Sequence, residues 1–305
     1  MVDMVASPAA TQAEANETER RALPIAQVEM LGGFQLYVAG RRIPDTLWTG
    51  STRAKSLFQY LAYRAGTPMR AEGLIETLWP DLEPEACVNT LHKAVHFLRQ
   101  RLNFVTGRDG HELLRYADDC YTLSPDDVEV DAVAFRRALF QARWSQRLGD
   151  PGGQRDYLSR AIDLYQGELL ADDYLIEWSV PERARLRHDM CGALRERAAL
   201  ARAAGQPHQA ALYYRQLVAV DPTGEHGYQA LIELALADGR RGEALRLYQR
   251  CQQVLRRELD LEPGPLLRSL VAPEDTAIRI ASQSPEGLRP PLLAAIARPL
   301  PSTSQ

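Results

Sequence analysis

The side chains best suited to holding a ligand lie close together between Cys87 and Arg101. Asn89, Lys93, His96 and Gln100 recur at three- and four-residue spacing, with Thr90 and Phe97 beside them. On a helix these groups share one side, opposite an apolar stripe of Val88, Leu91, Val95, Leu98 and Leu102. Side chains of these types can donate to and accept from base edges in a major groove, so base reading is assigned to Asn89, Thr90, Lys93, His96 and Gln100. His92, Arg99 and Arg101 border the face, where cations reach phosphates. A merely solvated amphipathic helix has the same pattern, so the neighbouring elements must decide. His92 and His96 also stand four apart with Cys87 one turn earlier, as in a helical zinc pair. The zinc-peptidase motif needs Glu after the first His, and Lys93 puts the wrong charge there, so no metal is expected.

Other chemistry is sparse. Lysine occurs twice, at Lys55 and Lys93, and neither follows glycine, which excludes a Walker phosphate loop. GxGxxG, GxSxG and EF-hand patterns are absent as well. No catalytic residue and no cofactor is expected, and the chain is not read as an enzyme. Four scattered cysteines, without CxxC spacing, fit thiols in a reducing cytoplasm. The 36 Lys+Arg against 40 Asp+Glu give a net charge of −4, which excludes a polybasic coat for nucleic acid or membrane. No apolar run is long enough to span a bilayer, and the first residues lack a signal-peptide core.

At 305 residues the chain is expected to hold about two domains. Residues 1–24 and the Pro/Ser-rich 273–305 read as disordered tails. Residues 25–124 open with β-prone stretches, Val28 to Leu31 and Phe34 to Val38, interrupted by Gly32-Gly33 and closed by Gly40. Three helices follow. Ser51 caps the first, whose Ala54, Leu57, Phe58, Leu61 and Ala62 form an apolar face. Leu74, Ile75, Leu78 and Trp79 mark the second, and Pro84 opens the third, from Glu85 to about Leu102. A hairpin with its turn near Asp118-Asp119 closes the block. Sheet, three helices and hairpin is the order of a winged helix-turn-helix, which moves the third helix towards recognition. Arg53 and Lys55 on the first helix and Arg115 on the hairpin join His92, Arg99 and Arg101 as backbone contacts. This block carries eleven basic and eleven acidic side chains, so charge alone binds DNA weakly and a dimer or a co-bound partner is expected.

Residues 125–272 read as helical. A shift of 34 residues lays Leu200 on Leu234, Ala201 on Ala235, Gly205 on Gly239, Ala210 on Ala244 and Tyr214 on Tyr248. That is the tetratricopeptide period, with Ala where helices touch and Gly at the turn; Ala161 and Tyr165 form a fainter copy. The expected fold is mainly α with a small β component: an N-terminal winged helix-turn-helix, then an all-α, tetratricopeptide-like repeat domain.

Several stretches resemble a known family. They include Trp48, Arg53 to Ala62, Leu78-Trp79-Pro80-Asp81, Asn89-Thr90-Leu91, Phe97 to Leu102, Tyr121-Thr122-Leu123, Val130-Asp131 with Phe135, and Tyr165 to Leu170. In that order, over about residues 25–272, they are similar to the bacterial regulators that join a winged helix to a bacterial transcriptional activator domain, such as the Streptomyces antibiotic regulatory proteins. The resemblance implies a cytoplasmic, DNA-binding transcriptional activator, bound to promoter direct repeats as a side-by-side homodimer and contacting RNA polymerase. It makes the third helix the recognition helix and places the hairpin, Leu113 to Leu123, in the minor groove. His96 and Phe97 stand where the family often has basic residues, and Cys120 where it has Gly. Longer relatives add a nucleotide-hydrolysing domain, whose motif is missing here, so no ATP or GTP dependence is expected, nor any membrane partner. The competing reading is a tetratricopeptide protein-interaction adaptor whose winged helix no longer binds DNA, favoured by the neutral charge and by Phe97.

Overall fold

The computed structural model describes residues 24–173 and 175–272; the expected tails, apart from Pro24, lie outside them. The chain divides into two compact units, one ending at Asp221 and one beginning at Pro222.

The first unit begins with β1 (Ala26–Glu29), β2 (Gln35–Val38) and β3 (Arg41–Ile43), an antiparallel meander. In β1, Ala26 and Val28 face the core while Gln27 and Glu29 face out, the alternation of a half-buried strand. A fourth strand comes from far along the chain. β7 (Val128–Val130) pairs in parallel with β1, giving the order β3-β2-β1-β7. Three residues are too few to carry an alternation signal, so this strand exists only through its long-range partner.

A single 3-10 turn (Asp45–Trp48) leads to α1 (Thr52–Tyr63). Phe34, Trp48 and Phe58 pack with ring centroids 5.5 to 6.2 Å apart and join the sheet to this helix. Ser51 holds the N-cap position, but its hydroxyl makes no capping bond. Then come β4 (Met69–Arg70), α2 (Ala71–Leu78), α3 (Pro84–Thr106), the single turn α4 (Gly110–Leu113), β5 (Leu114–Ala117) and β6 (Cys120–Leu123). β5 and β6 form the expected hairpin; Asp118 and Asp119 have φ of 50° and 57°, the left-handed pair that a tight two-residue turn requires. β4 adds a third strand against β6.

Four further helices complete this unit: α5 (Asp131–Arg147), α6 (Pro151–Leu164), α7 (Ser179–Ala203) and α8 (Pro207–Val220). They are tied to the sheet at its end. Leu31 bridges Leu169, the Gly32 N–H donates to the Glu168 carbonyl at 2.9 Å, and Leu170 N–H donates to Met30 O at 2.7 Å. A Cβ on Gly167 would lie 2.9 Å from the Gly32 Cα, so Gly167 must be glycine for the backbones to meet, and Gly32 must be glycine for its φ of 112°. The buried Arg183 guanidinium holds the loop in place, donating to the carbonyls of Leu169, Leu170 and Asp173 at 2.6, 2.9 and 2.6 Å. Nearby, Tyr63 of α1 donates to Glu182 at 2.5 Å, and Arg136 of α5 donates to the Tyr63 carbonyl at 2.6 Å.

The second unit holds α9 (Glu225–Ala237), α10 (Arg241–Leu259) and α11 (Pro265–Val271). The Glu225 carboxylate accepts from Gly264 N–H at 3.1 Å and fixes the start of α11. α9 ends, and α10 begins, 34 residues after the corresponding ends of α7 and α8. In both hairpins the turn glycine, Gly205 or Gly239, has positive φ, and Ala201, Ala235, Ala210 and Ala244 are all buried. The mainly helical fold with a small β component is as expected from the sequence.

Asp131 begins α5 beneath the end of β1. Its carboxylate accepts from Met30 N–H at 2.8 and 2.9 Å, from Leu31 N–H at 2.8 Å and from Ala132 N–H at 2.6 Å. Burial raises its pKa to about 6, although the three N–H groups pull the other way. Asp131→Asn replaces one acceptor oxygen by an NH2 facing N–H donors, and is expected to cost about 1–3 kcal/mol in denaturant unfolding. The native group binds its proton more tightly folded than unfolded, so its contribution to stability grows as pH falls from about 7 towards about 4. The deficit of the variant therefore widens over that range; a deficit independent of pH contradicts this account.

Candidate nucleic-acid interface

α3 is the element on which the candidate site stands. Proline at its first turn suits a position that needs no N–H donor, and the left-handed Gly107 ends it by donating to Asn103 O. Cys87, Thr90, Leu91, Ala94, Val95, Leu98 and Leu102 are buried, which sets the rotation of the helix. Two sequence expectations change with it. Val88, read as core, is 56% exposed, and Thr90, read as a base contact, is 8% exposed. Ala94 and Cys87 are small enough to lie close against neighbours, and the buried arc is turned towards them, away from Val88.

Most of the other residues expected on α3 lie together on its exposed side. Asn89, His92, Lys93, His96 and Gln100 are all exposed and follow one another along the outer face. Asn103 continues the same face one turn beyond Gln100, just past the expected end of the helix. From Ala86 to Thr106 the helix contains no Asp or Glu, within a block where acids equal bases. The basic character is thus local to this helix. Phe97 and Phe104 flank the face, 42% and 82% exposed.

The six expected backbone contacts fare differently. His92 is on the outer face and Arg101 is half-buried at its border. Arg99 instead donates to the Leu114 carbonyl at 2.9 Å, holding the start of β5 against α3. Arg115 lies exposed on β5, its Nε 3.3 Å from the Glu112 carbonyl. Lys55 rests with its ammonium 5.3 Å from the Phe34 ring centroid. Arg53 lines a separate cleft with Trp79, Leu175 and Trp178 rather than the α3 face.

α3 and the hairpin are locked together. A Cβ on Gly110 would sit 2.5 Å from the Arg99 carbonyl oxygen, so α4 leans directly on the α3 backbone. Asp109 caps α4 by accepting from His111 N–H at 2.9 Å. The result is an open cleft of about 370 Å³ between α3 and α4, walled by His92, His96, Arg99, Gln100, Asn103 and His111, with Tyr121 of β6 among its remaining lining. Sequence reasoning missed Asn103 and His111. Extending the helical spacing by one turn finds Asn103; nothing local connects His111 to α3. Among the described residues no group of His, Cys, Asp and Glu has the arrangement of a metal site, and no helix is long and apolar enough to cross a membrane.

Gly110→Ala is expected to force α4 from α3 and lower stability by about 1–3 kcal/mol, read as a fall in thermal midpoint. An unchanged midpoint would mean that α4 does not bear on α3.

Residues 130–273 match the family model of the bacterial transcriptional activator domain. The chain is 25% identical over 253 residues to the regulatory protein DnrI of Streptomyces peucetius, covering 80% of this chain and 90% of that one. It is 28% identical over 261 residues to the regulatory protein AfsR of Streptomyces coelicolor, covering 83% of this chain and 25% of AfsR. The transcriptional regulatory protein EmbR of Mycobacterium tuberculosis is 25% identical over 241 residues, 79% of this chain and 61% of EmbR. A solved structure of Mycobacterium tuberculosis EmbR, in complex with a low affinity phosphopeptide, superposes with a TM-score of 0.64 at 24% identity, covering 87% of this chain and 67% of that one. That likeness supports the arrangement of a winged-helix N-terminus followed by a helical domain. Residues 130–273 therefore carry a bacterial transcriptional activator domain, and over most of its length the chain is similar to bacterial transcriptional regulators of the kind exemplified by DnrI and AfsR.

Proposed function

We propose that this regulator binds double-stranded promoter DNA through the outer face of α3, with the β5–β6 hairpin as its minor-groove wing. The observation that carries this reading is one exposed, carboxylate-free helix face in a block that is neutral overall, bearing Asn89, Lys93, His96, Gln100 and Asn103. Asn and Gln can pair bidentately with adenine, and Lys can reach guanine acceptors. His92, Arg101 and Arg115 supply phosphate contacts at the border. Thr90 is left out, since its side chain is buried. Arg99 positions the wing, and Arg53 and Lys55 stand apart from the face. So few cations bind one site weakly. The reading therefore includes a side-by-side homodimer on direct repeats, acting as an activator in the cytoplasm through contact with RNA polymerase.

The adaptor reading keeps one observation in its favour, the exposed Phe97 and Phe104 on the flank of α3. Salt separates the two readings. Phosphate contacts release counterions, so duplex affinity should fall steeply and log-linearly with added salt, and Lys93→Ala should make the slope shallower by about one contact. Asn89→Ala is expected to cost about 1–3 kcal/mol on the preferred sequence and little on random DNA, measured by fluorescence anisotropy. Thr90→Ser should leave sequence preference intact. Equal loss from Asn89→Ala on every sequence, or affinity indifferent to salt, would sink the DNA reading in favour of the adaptor.

A further inference from the structure

The cleft between α3 and α4 holds three of the six histidines of the chain, His92, His96 and His111, all exposed. It opens beside the outer face of α3, with which it shares His92, His96, Gln100 and Asn103. Its one permanent cation, Arg99, donates through Nη2 to the Leu114 carbonyl, while its buried Nε has no hydrogen-bond partner among the described residues. The one carboxylate in the lining, Asp109, has Oδ1 engaged by His111 N–H. Tyr121, the β6 group in the lining, is largely buried, and Lys93 on α3, Glu112 on α4 and Arg115 on β5 lie outside the lining. The remaining polar side chains are imidazoles and amides. Such a wall suits an anion, but its two fixed charges, the Arg99 guanidinium and the Asp109 carboxylate, are opposite in sign.

We propose that this cleft seats a phosphodiester of the DNA backbone, with His92, His96 and His111 supplying its positive charge by taking up protons as the duplex binds. The inference rests on the DNA-binding reading above and extends it to the chemistry of one contact. Imidazole is the side chain whose charge changes within the physiological pH range, and an anion brought close favours its protonated form. Linkage then requires tighter DNA binding as pH falls. A block with equal numbers of fixed acids and bases gains in this way a positive surface that a count of Lys and Arg does not reveal.

The test is fluorescence anisotropy of the full chain with a fluorescein-labelled, mixed-sequence duplex about four helical turns long, at pH 6 and pH 8 and constant ionic strength. The native protein should bind about tenfold tighter at pH 6, the effect of one net proton taken up across one pH unit. His92→Gln, His96→Gln and His111→Gln together keep neutral hydrogen bonding and should lose that gain. His188→Gln, His208→Gln and His226→Gln together should retain it. Millimolar inorganic phosphate, compared with chloride of equal ionic strength, should leave duplex binding unchanged; strong competition would reassign the cleft to free phosphate and overturn the proposal. Equal native affinity at both pH values, or a full gain kept by the first triple variant, also overturns it. Absence of duplex binding at either pH overturns the DNA-binding reading together with this inference, whereas binding without pH dependence overturns the inference alone.

Discussion

The backbone at the end of β1 has no strand partner for its last N–H groups, and Asp131 takes them. Met30 and Leu31 both donate to this one carboxylate, which is also the first residue of α5. Because β7 immediately precedes it and pairs with β1, the chain returns from the hairpin to the opening sheet at this point. Helix α5 is thereby built onto the opening sheet rather than hung from a linker. Gly32 against Gly167, and Arg183 on the Leu169–Asp173 carbonyls, extend the same joint. A buried carboxylate is costly unless its oxygens are satisfied, and here three N–H donors satisfy them.

That joint fixes the sheet, and the sheet fixes α1 through Phe34, Trp48 and Phe58. α3 then has one orientation in which its seven buried residues meet the core. Everything polar on α3 follows from this rotation, including the loss of Thr90 and the continuation through Asn103. Arg99 links the outcome to the hairpin. A cation read as a phosphate contact also ties the helix to the start of β5, a use that charge alone does not disclose.

Features carried by local periodicity were legible in the sequence. The outer face of α3 follows from the spacing of Asn89, Lys93, His96 and Gln100, the hairpin from its Asp118-Asp119 turn, and the paired helices from a 34-residue shift. Features that depend on distant partners were not. β7 is three residues long and owes its strand geometry to β1, about a hundred positions earlier. Gly167 lay within the resembling stretch Tyr165 to Leu170, but the reason for it, the backbone of Gly32 facing it, is far away in sequence. His111 joins the α3 face only because Gly110 lets α4 approach. Val88 and Thr90 were misassigned because the helical wheel gives relative angles, whereas small side chains such as Cys87 and Ala94 decide which way the whole wheel turns.

The central claim, that the outer face of α3 reads DNA sequence, is tested most directly by selecting bound duplexes from a random DNA pool with the full chain at low and moderate salt. The account predicts enrichment of a repeated half-site with centres about 10–11 base pairs apart, one helical turn. Recovery of no preferred sequence, even at low salt, would contradict it.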